Sequence, residues 1–159
     1  MGDVAIAYAV HVLAVVLWVG GLAFVTTVLL PGIRRTEEPD RRMNQFGAFE
    51  RRFAWQARVL TVLAGVTGLD MLIRLNLWDR FLSASYWWMH AMLLTWLIFT
   101  VILFIGEPLF LHGWLRARAK IDPEATFRLV ERLHRALLTL SLVTIFGAVM
   151  GSHGFFIFR

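Results

Sequence analysis

The sequence predicts an all-α fold: an integral membrane four-helix bundle with both termini on the outer, periplasmic side. Hydrophobic residues make up 58% of the 159 residues, and the mean hydropathy is +0.66, whereas the apolar share of a soluble domain is nearer ~45–50%. The chain also divides into four apolar stretches separated by polar ones, and one membrane crossing takes roughly 20 apolar residues. We therefore expect a single transmembrane domain over residues 1–159.

The first span is predicted at about residues 4–30, an uncharged stretch that carries His11 well inside it. Pro31 and Gly32 follow, and such a pair is typical of a helix end. No Lys or Arg precedes the apolar run, and no small-residue cleavage site follows a short apolar segment. We therefore expect this span to be retained rather than removed as a signal peptide.

The second span is predicted at about residues 53–75, after an amphipathic helical lead-in from Met43 to Arg58 whose apolar residues recur with helical spacing. Asp70 and Arg74 stand four residues apart, so they share a helix face and can form an ion pair. Either this pair is a local contact at the membrane edge, or Arg74 binds an anionic ligand such as a haem propionate.

The third span is predicted at about residues 86–111, and its Trp-rich start is typical of a membrane interface. Pro108 is expected to kink the helix and to free a backbone carbonyl group. The neighbouring Glu107 carries a carboxyl group at or near membrane depth, so it is protonated, paired with another residue, or already in the headgroup region. We favour the headgroup region.

The fourth span is predicted at about residues 136–158, in a helix that starts with Asp122 as N-cap and Pro123 in the first position. Small residues recur along one face of this helix and allow tight packing, either within the bundle or between copies in a homo-oligomer. They are Gly147, Gly151 and Gly154.

The basic residues indicate the orientation. Of the 16 Lys and Arg, seven lie between residues 32 and 58 and six between 112 and 135, which leaves Arg74, Arg80 and Arg159. By the positive-inside rule, the loops at about 32–52 and 112–135 face the cytoplasm, and we expect the membrane to be a bacterial inner membrane. Since topology explains the net charge of +5, no nucleic-acid partner is expected. The absence of cysteine excludes thiolate metal sites, iron–sulfur clusters and c-type haem attachment.

This orientation places three histidines at one level, namely His11, His90 and His153. With a rise of ~1.5 Å per residue, they lie roughly 6–10 Å below the outer face. Each imidazole either bonds a carbonyl, Ser or Thr of a neighbouring helix, or joins the others in binding a cofactor between helices. We favour a cofactor, haem b with two of the three imidazoles as axial ligands, and the choice of pair stays open.

A haem at this level would be enclosed by residues of several spans. Its pocket would be lined by Trp18, Gly20, Gly21 and Gly151, and Arg74 is the candidate partner of its propionates. Two histidine ligands leave the iron no open position for a substrate. The expected function is therefore redox, with electrons passing between quinone and another acceptor or oxidant, such as a redox protein.

Two alternatives concern the metal and its place. Copper could replace haem, since the three histidines together with Met89, Met92 or Met150 form a soft-to-borderline ligand set. His112 and His134 form a second group near the cytoplasmic end, next to arginines. We expect this second group to be solvated or in contact with lipid phosphate, with a second metal or haem site there as the alternative.

The sequence resembles one membrane family at three places. They are the motif His11-x6-Trp18-x2-Gly21-Leu22, the stretch from Arg52-Phe53 through Ala57-Arg58 to Thr67-Gly68, and the Trp-rich start of span three. These features are similar to the copper-resistance protein D (CopD) family and to its relative HemJ, the membrane protoporphyrinogen oxidase. The resemblance covers most of the chain and implies a four-span bundle, with haem b and His11 as its ligand in the HemJ branch and copper handling in the CopD branch. A HemJ-like oxidase is thus a further alternative, with Met92 at a position where HemJ-like sequences carry a lysine.

Overall fold

The computed structural model describes residues 2–155, and its fold is all-α. Four helices are long and apolar enough to cross a membrane, which confirms the predicted fold class: α1 Gly2–Thr36, α2 Pro39–Arg74, α3 Ala84–Ile121 and α4 Pro123–Ser152. Over residues 2–155 the chain forms no strand. At ~1.5 Å per residue, helices of 30 to 38 residues extend well beyond a hydrocarbon core of ~30 Å.

The basic segments differ most from the predicted spans. The stretches 32–52 and 112–135, expected as loops, are almost entirely helical, with breaks at Glu37-Glu38 and at Asp122. The predicted N-cap at Asp122 is confirmed, because its carboxylate accepts a hydrogen bond of 2.8 Å from the N–H of Ala125. The predicted end of span four at residues 156–158, and Arg159, lie outside the described residues.

Two prolines lie inside helices without ending them. The prediction that Pro31 and Gly32 end the first helix is wrong, because α1 continues to Thr36. In an α-helix a proline ring clashes with the carbonyl group four residues earlier. The residues before Pro31 form a wider π-helical segment, Val25–Leu29, and Pro108 lies inside a second one, Ile102–Leu111. A π turn relieves the clash because its hydrogen bonds run to the fifth residue rather than the fourth.

Small and aromatic residues fill the middle of the bundle. Trp18 of α1 is 5% exposed and meets Phe99 of α3 edge to face, with ring centroids 4.7 Å apart. A buried hydrogen bond of 2.9 Å joins Thr95 of α3 to Thr144 of α4. The rest of this core comes from all the helices but α3: Ala14, Val19, Leu22, Ala57, Leu60, Ala64 and Leu138. Large apolar side chains cover the outward faces, as contact with a lipid bilayer requires.

Ion pairs hold the end of the bundle where α1 meets α2 and α3 meets α4, hereafter the basic end. Arg34 Nη2 lies 3.2 Å from Glu124 Oε1 and 3.1 Å from Glu131 Oε2, and Arg42 forms an ion pair with Glu124. Both guanidinium groups lie over the ring of Phe127, 6.0 and 5.8 Å from its centroid. These contacts tie the α1–α2 hairpin to the α3–α4 hairpin.

Candidate functional site

The opposite end of the bundle, hereafter the histidine end, carries the three histidines predicted to converge. His11 is half-buried there. Its Nδ1 lies 2.9 Å from the carbonyl oxygen of Ala64 and 3.2 Å from Oγ1 of Thr67, both in α2. The hydroxyl of Thr67 donates its own proton to the carbonyl of Leu63 at 2.6 Å. Both neighbours of Nδ1 are therefore acceptors, so Nδ1 carries the ring proton and Nε2 carries a lone pair.

A glycine provides the space for this imidazole ring. A Cβ added to Gly68 would lie 3.3 Å from Cε1 of His11, tight enough to displace the ring. His11 also lies on the buried face of α1, since it precedes Trp18 by two helical turns. A histidine that donates one ring N–H to a backbone carbonyl and keeps the other nitrogen for a metal is the usual arrangement of a metal ligand. His11 is therefore built like a ligand.

His90 and His153 also meet backbone carbonyl groups. His90 Nε2 lies 3.0 Å from the carbonyl oxygen of Phe81, and His153 Nδ1 lies 2.9 Å from that of Val149. Each contact is local: His90 contacts the connection that precedes α3, and His153 contacts the end of α4. Both side chains are exposed, so neither shares the enclosure of His11.

The two exposed histidines point away from the core. His90 precedes Phe99 by nine residues, and His153 follows Thr144 by nine. At ~100° per residue, nine residues turn a side chain to the opposite face of a helix. Among residues 2–155, no group of three or more His, Cys, Asp or Glu is placed to hold a metal ion. The three imidazoles thus do not form such a group, and only the contacts of His11 are to a neighbouring helix, as the packing alternative expects.

The paired glycines of α1 have different surroundings. A Cβ added to Gly21 would lie 2.5 Å from the ring of Phe53 in α2, whereas a Cβ added to Gly20 would meet nothing within 4 Å. Gly21 therefore leaves room for the side chain of a neighbouring helix, and Gly20 faces outward. Trp18, the third predicted pocket residue of this helix, lies in the core against Phe99.

Tryptophans of α3 fill the glycine face of α4. A Cβ added to Gly151 would lie 2.5 Å from the ring of Trp88, and one added to Gly147 would collide with Trp87. This face packs inside the bundle, because the rings of Trp87 and Trp88 occupy the space beside its glycines. It therefore offers no support for the predicted homo-oligomer.

Arg74 forms the ion pair predicted with Asp70, with Nε 2.7 Å from Oδ1. Its Nη1 also lies 3.8 Å from Oδ2 of Asp3. The guanidinium group thus stands between two carboxylates at the end of α2. This arrangement favours the local ion pair over a role in binding a propionate.

The second histidine group meets protein rather than solvent. His134 is half-buried, with Nδ1 2.9 Å from the carbonyl oxygen of Val130 and its ring edge to face with Phe46. His112 Nε2 lies 3.5 Å from Oε2 of Glu50, and its Nδ1 lies 3.3 Å from the carbonyl oxygen of Glu107. Since both nitrogens of His112 face acceptors, neither is left for a metal.

Glu107 is a functional candidate that sequence reasoning underrated. It does not lie among headgroups as expected, because it is 7% exposed and its Oε2 lies 3.0 Å from Nη2 of Arg58. Arg58 Nε also donates a hydrogen bond of 2.9 Å to the carbonyl of Leu103. That carbonyl stands five residues before Pro108, which has no N–H to complete a π-helical bond. The predicted free carbonyl is therefore present, and Arg58 satisfies it. The signal in the sequence was an opposite charge in each of two neighbouring spans.

Comparison with known proteins adds no assignment to this geometry. No protein-family model, no curated protein and no solved structure matches the chain. The resemblance to the CopD family and to HemJ stays a prediction, and what can be concluded about the chain is its class: a multi-pass membrane protein with four apolar helices.

Proposed function

We propose that this chain is a b-type haem-binding membrane protein that transfers electrons, with His11 as an axial ligand of the haem iron. One observation carries the proposal. The carbonyl of Ala64 and the hydroxyl of Thr67 fix the ring proton of His11 at Nδ1, which leaves the lone pair of Nε2 for a metal. A neutral imidazole nitrogen is the donor that iron takes in many haem proteins.

The residues around His11 would orient this bond. The hydrogen bond to Ala64 holds the plane of the imidazole, and Gly68 leaves the room that the ring occupies. When bound, the haem would supply a one-electron iron couple, with quinone or a redox protein as the proposed partner.

His90 and His153, the two predicted candidates for a second axial ligand, are exposed and point away from the core, so the proposal rests on His11. Within residues 2–155, each keeps one ring nitrogen without a hydrogen bond, Nδ1 in His90 and Nε2 in His153. Haem is favoured over copper because a chain can hold haem with one anchored imidazole. For the copper alternative, residues 2–155 form no group of three or more His, Cys, Asp or Glu, so such a site would need Met89, Met92 or Met150 among its ligands.

The test is an optical spectrum of the detergent-purified protein, air-oxidised and then reduced with dithionite, with iron and copper quantified in the same sample. We expect a Soret band, resolved α and β bands after reduction, and about one iron per chain. The variant His11→Ala should lose the haem. His134→Ala should retain it, because this control removes a half-buried imidazole with the same Nδ1–carbonyl bond at the other end of the bundle.

A matched glycine pair tests the position of the ring. Gly68→Ala should shift or remove the haem bands because its Cβ displaces the imidazole, whereas Gly20→Ala meets open space and should change nothing. Haem retained in His11→Ala would contradict His11 as a ligand. Colourless protein with bound copper would replace the proposal with the CopD-type alternative, and protoporphyrinogen oxidation by haem-free protein would support the HemJ-like one.

A further inference from the structure

A second ionisable site lies toward the basic end, between α2 and the π-helical segment of α3. Its centre is Glu107, whose Oε2 accepts no hydrogen bond from the residues that the structure describes. Arg58 Nη2 forms an ion pair with this oxygen at 3.0 Å, and a different guanidinium nitrogen, Nε, donates the hydrogen bond to Leu103. A buried carboxylate with one charge contact and no hydrogen bond is poorly compensated for its loss of water.

Protonation of Glu107 would not leave Arg58 without a hydrogen-bond partner. The side chain of Arg58 is 26% exposed, and the hydrogen bond from its Nε to the Leu103 carbonyl does not involve the carboxyl group. Arg58 therefore keeps a hydrogen-bond partner in either form of Glu107.

Two titratable groups, Glu50 and His112, lie near Glu107. His112 contacts the backbone oxygen of Glu107 through Nδ1 and faces the carboxylate of Glu50 through Nε2. Glu50 and Glu107 are close enough for their charges to repel each other, and the charge of His112 opposes that repulsion. Glu50 and His112 both line a cleft of about 500 Å³ between the start of α2 and the end of α3. The cleft is also lined by cations: Arg51, Arg116 and Lys120.

We propose that Glu107 is a proton-binding site, separate from the haem site, which exchanges protons with the aqueous phase at the basic end through Glu50 and His112. A proton passes from water in the cleft to Glu50 or His112, and from that group to the Glu107 carboxylate. Each proton that Glu107 gains is one that the aqueous phase loses, and Arg58 stays charged throughout. By the predicted orientation, that phase is the cytoplasm.

Few other charges bear on this equilibrium. Glu107 faces Arg58 and Glu50 of α2 and His112 of its own helix, and in the described part of the chain it forms no ion pair with α1 or α4. The ion-pair network of Arg34, Arg42, Glu124 and Glu131 joins α1 and α2 to α4 and has no member in α3. A change in protonation at Glu107 therefore acts on α2 and α3 first.

Infrared difference spectroscopy tests the site directly. The full chain is reconstituted in phosphatidylcholine nanodiscs, whose headgroups do not titrate between mildly acidic and alkaline buffer, and the carbonyl stretch of protonated carboxyl groups is followed against pH. We expect a band that grows as the pH falls, is missing in Glu107→Gln and is shifted but present in Glu107→Asp. The aspartate variant keeps the test decisive if the glutamine variant does not fold.

The matched control is Glu131→Gln. Glu131 is equally buried at 7%, but two arginines, Arg34 and Arg135, lie 3.1 and 3.6 Å from its Oε2. The titrating band should therefore survive this substitution. A band that persists unchanged in Glu107→Gln, or is lost equally in Glu131→Gln, would overturn the assignment to Glu107.

The route is tested by the time course after a rapid acid jump. The pair of substitutions Glu50→Gln and His112→Gln should slow the rise of the Glu107 band several-fold while leaving its final amplitude. Arg116→Gln alters the same cleft without removing a member of the route and should leave the rise unchanged. An unchanged rise in the Glu50 and His112 double variant would overturn the route through the cleft.

Discussion

At the histidine end of the bundle the three histidines each contact a backbone carbonyl, whereas at the basic end arginines and carboxylates of different helices contact one another. His11, His90 and His153 each contact a carbonyl group. The basic end instead joins arginines and carboxylates of different helices, with Glu124 contacting both Arg34 and Arg42. The first arrangement fixes the tautomer of an imidazole and leaves a nitrogen for a ligand. The second fixes helices to one another. The difference indicates that interhelical ion pairs hold the bundle together mainly at the basic end.

The largest expected effect comes from removing the ring of Phe127, which is buried beneath Arg34 and Arg42 at the basic end. Phe127 is 0% exposed, so Phe127→Ala should lower the free energy of unfolding by ~3–5 kcal/mol, the usual range for a buried phenylalanine. Thermal unfolding followed by circular dichroism measures the effect. Phe146→Ala is the control, because this side chain is 65% exposed on an outward face. Equal losses in the two variants would mean that the basic end is not the stabilising one.

Removal of Arg58 should have a smaller effect that depends on pH. Arg58→Met leaves Glu107 and the Leu103 carbonyl without their partner, and an unpaired buried polar group costs about 1–3 kcal/mol. On the proposal above that Glu107 binds a proton, the loss should shrink in acid. Denaturant unfolding at mildly acidic and neutral pH measures both values. Arg74→Met at the histidine end should change stability little at either pH, since its ion pair is exposed. A loss that grows in acid would contradict the account of Glu107.

Tight helix approach at the histidine end can be tested with one methyl group. Gly147→Ala places a Cβ against the ring of Trp87, and overpacking of this kind costs about 1–3 kcal/mol. We expect the lower part of that range, because the ring can tilt. Gly113→Ala is the control, since nothing lies within 4 Å of its added Cβ. Thermal stability is the readout, and an unchanged melting temperature in Gly147→Ala would show that α3 and α4 do not pack as described.

The smallest expected effect is at the hydrogen bond between Thr95 and Thr144. Thr95→Val should cost ~0.6 kcal/mol, the average for such bonds between membrane helices. Thr144 also donates to the carbonyl of Leu140 within its own helix, so it keeps a partner. A double-mutant cycle with Thr144→Val isolates the interaction. A coupling energy of zero would remove this bond from the contacts that join α3 and α4.

Features that depend on neighbours in sequence could be predicted. The apolar spans, the Asp122 cap and the Asp70–Arg74 pair each follow from spacing within one helix, and all three are present. The π-helical turn before Pro31 could not be predicted, because its stability depends on packing around the widened turn. The pairing of Arg58 with Glu107 was missed for a similar reason, since the relative rotation of two helices decides it.

Depth alone was an insufficient guide to the candidate site. Counting residues placed three histidines at one level, but a helix also has faces. His11 shares its face with Trp18, whereas His90 and His153 lie opposite the buried residues of their helices. The sequence shows which residues share a helix face. It does not show which face is buried, because that depends on how the rings of Trp87 and Trp88 pack against the glycine face of α4.

The two very short junctions of the fold have a mechanical consequence. Glu37-Glu38 joins α1 to α2 and Asp122 joins α3 to α4, both at the basic end, and the arginine–glutamate network clamps these two hairpins there. The two hairpins are thus held together at the basic end, and at the histidine end they are linked by the chain from Leu75 to Ser83. Across a hydrocarbon thickness of ~30 Å, a tilt of one hairpin by ~5° at the basic end moves its other end by ~3 Å. A small rotation of one hairpin against the other at the basic end is therefore magnified at the histidine end.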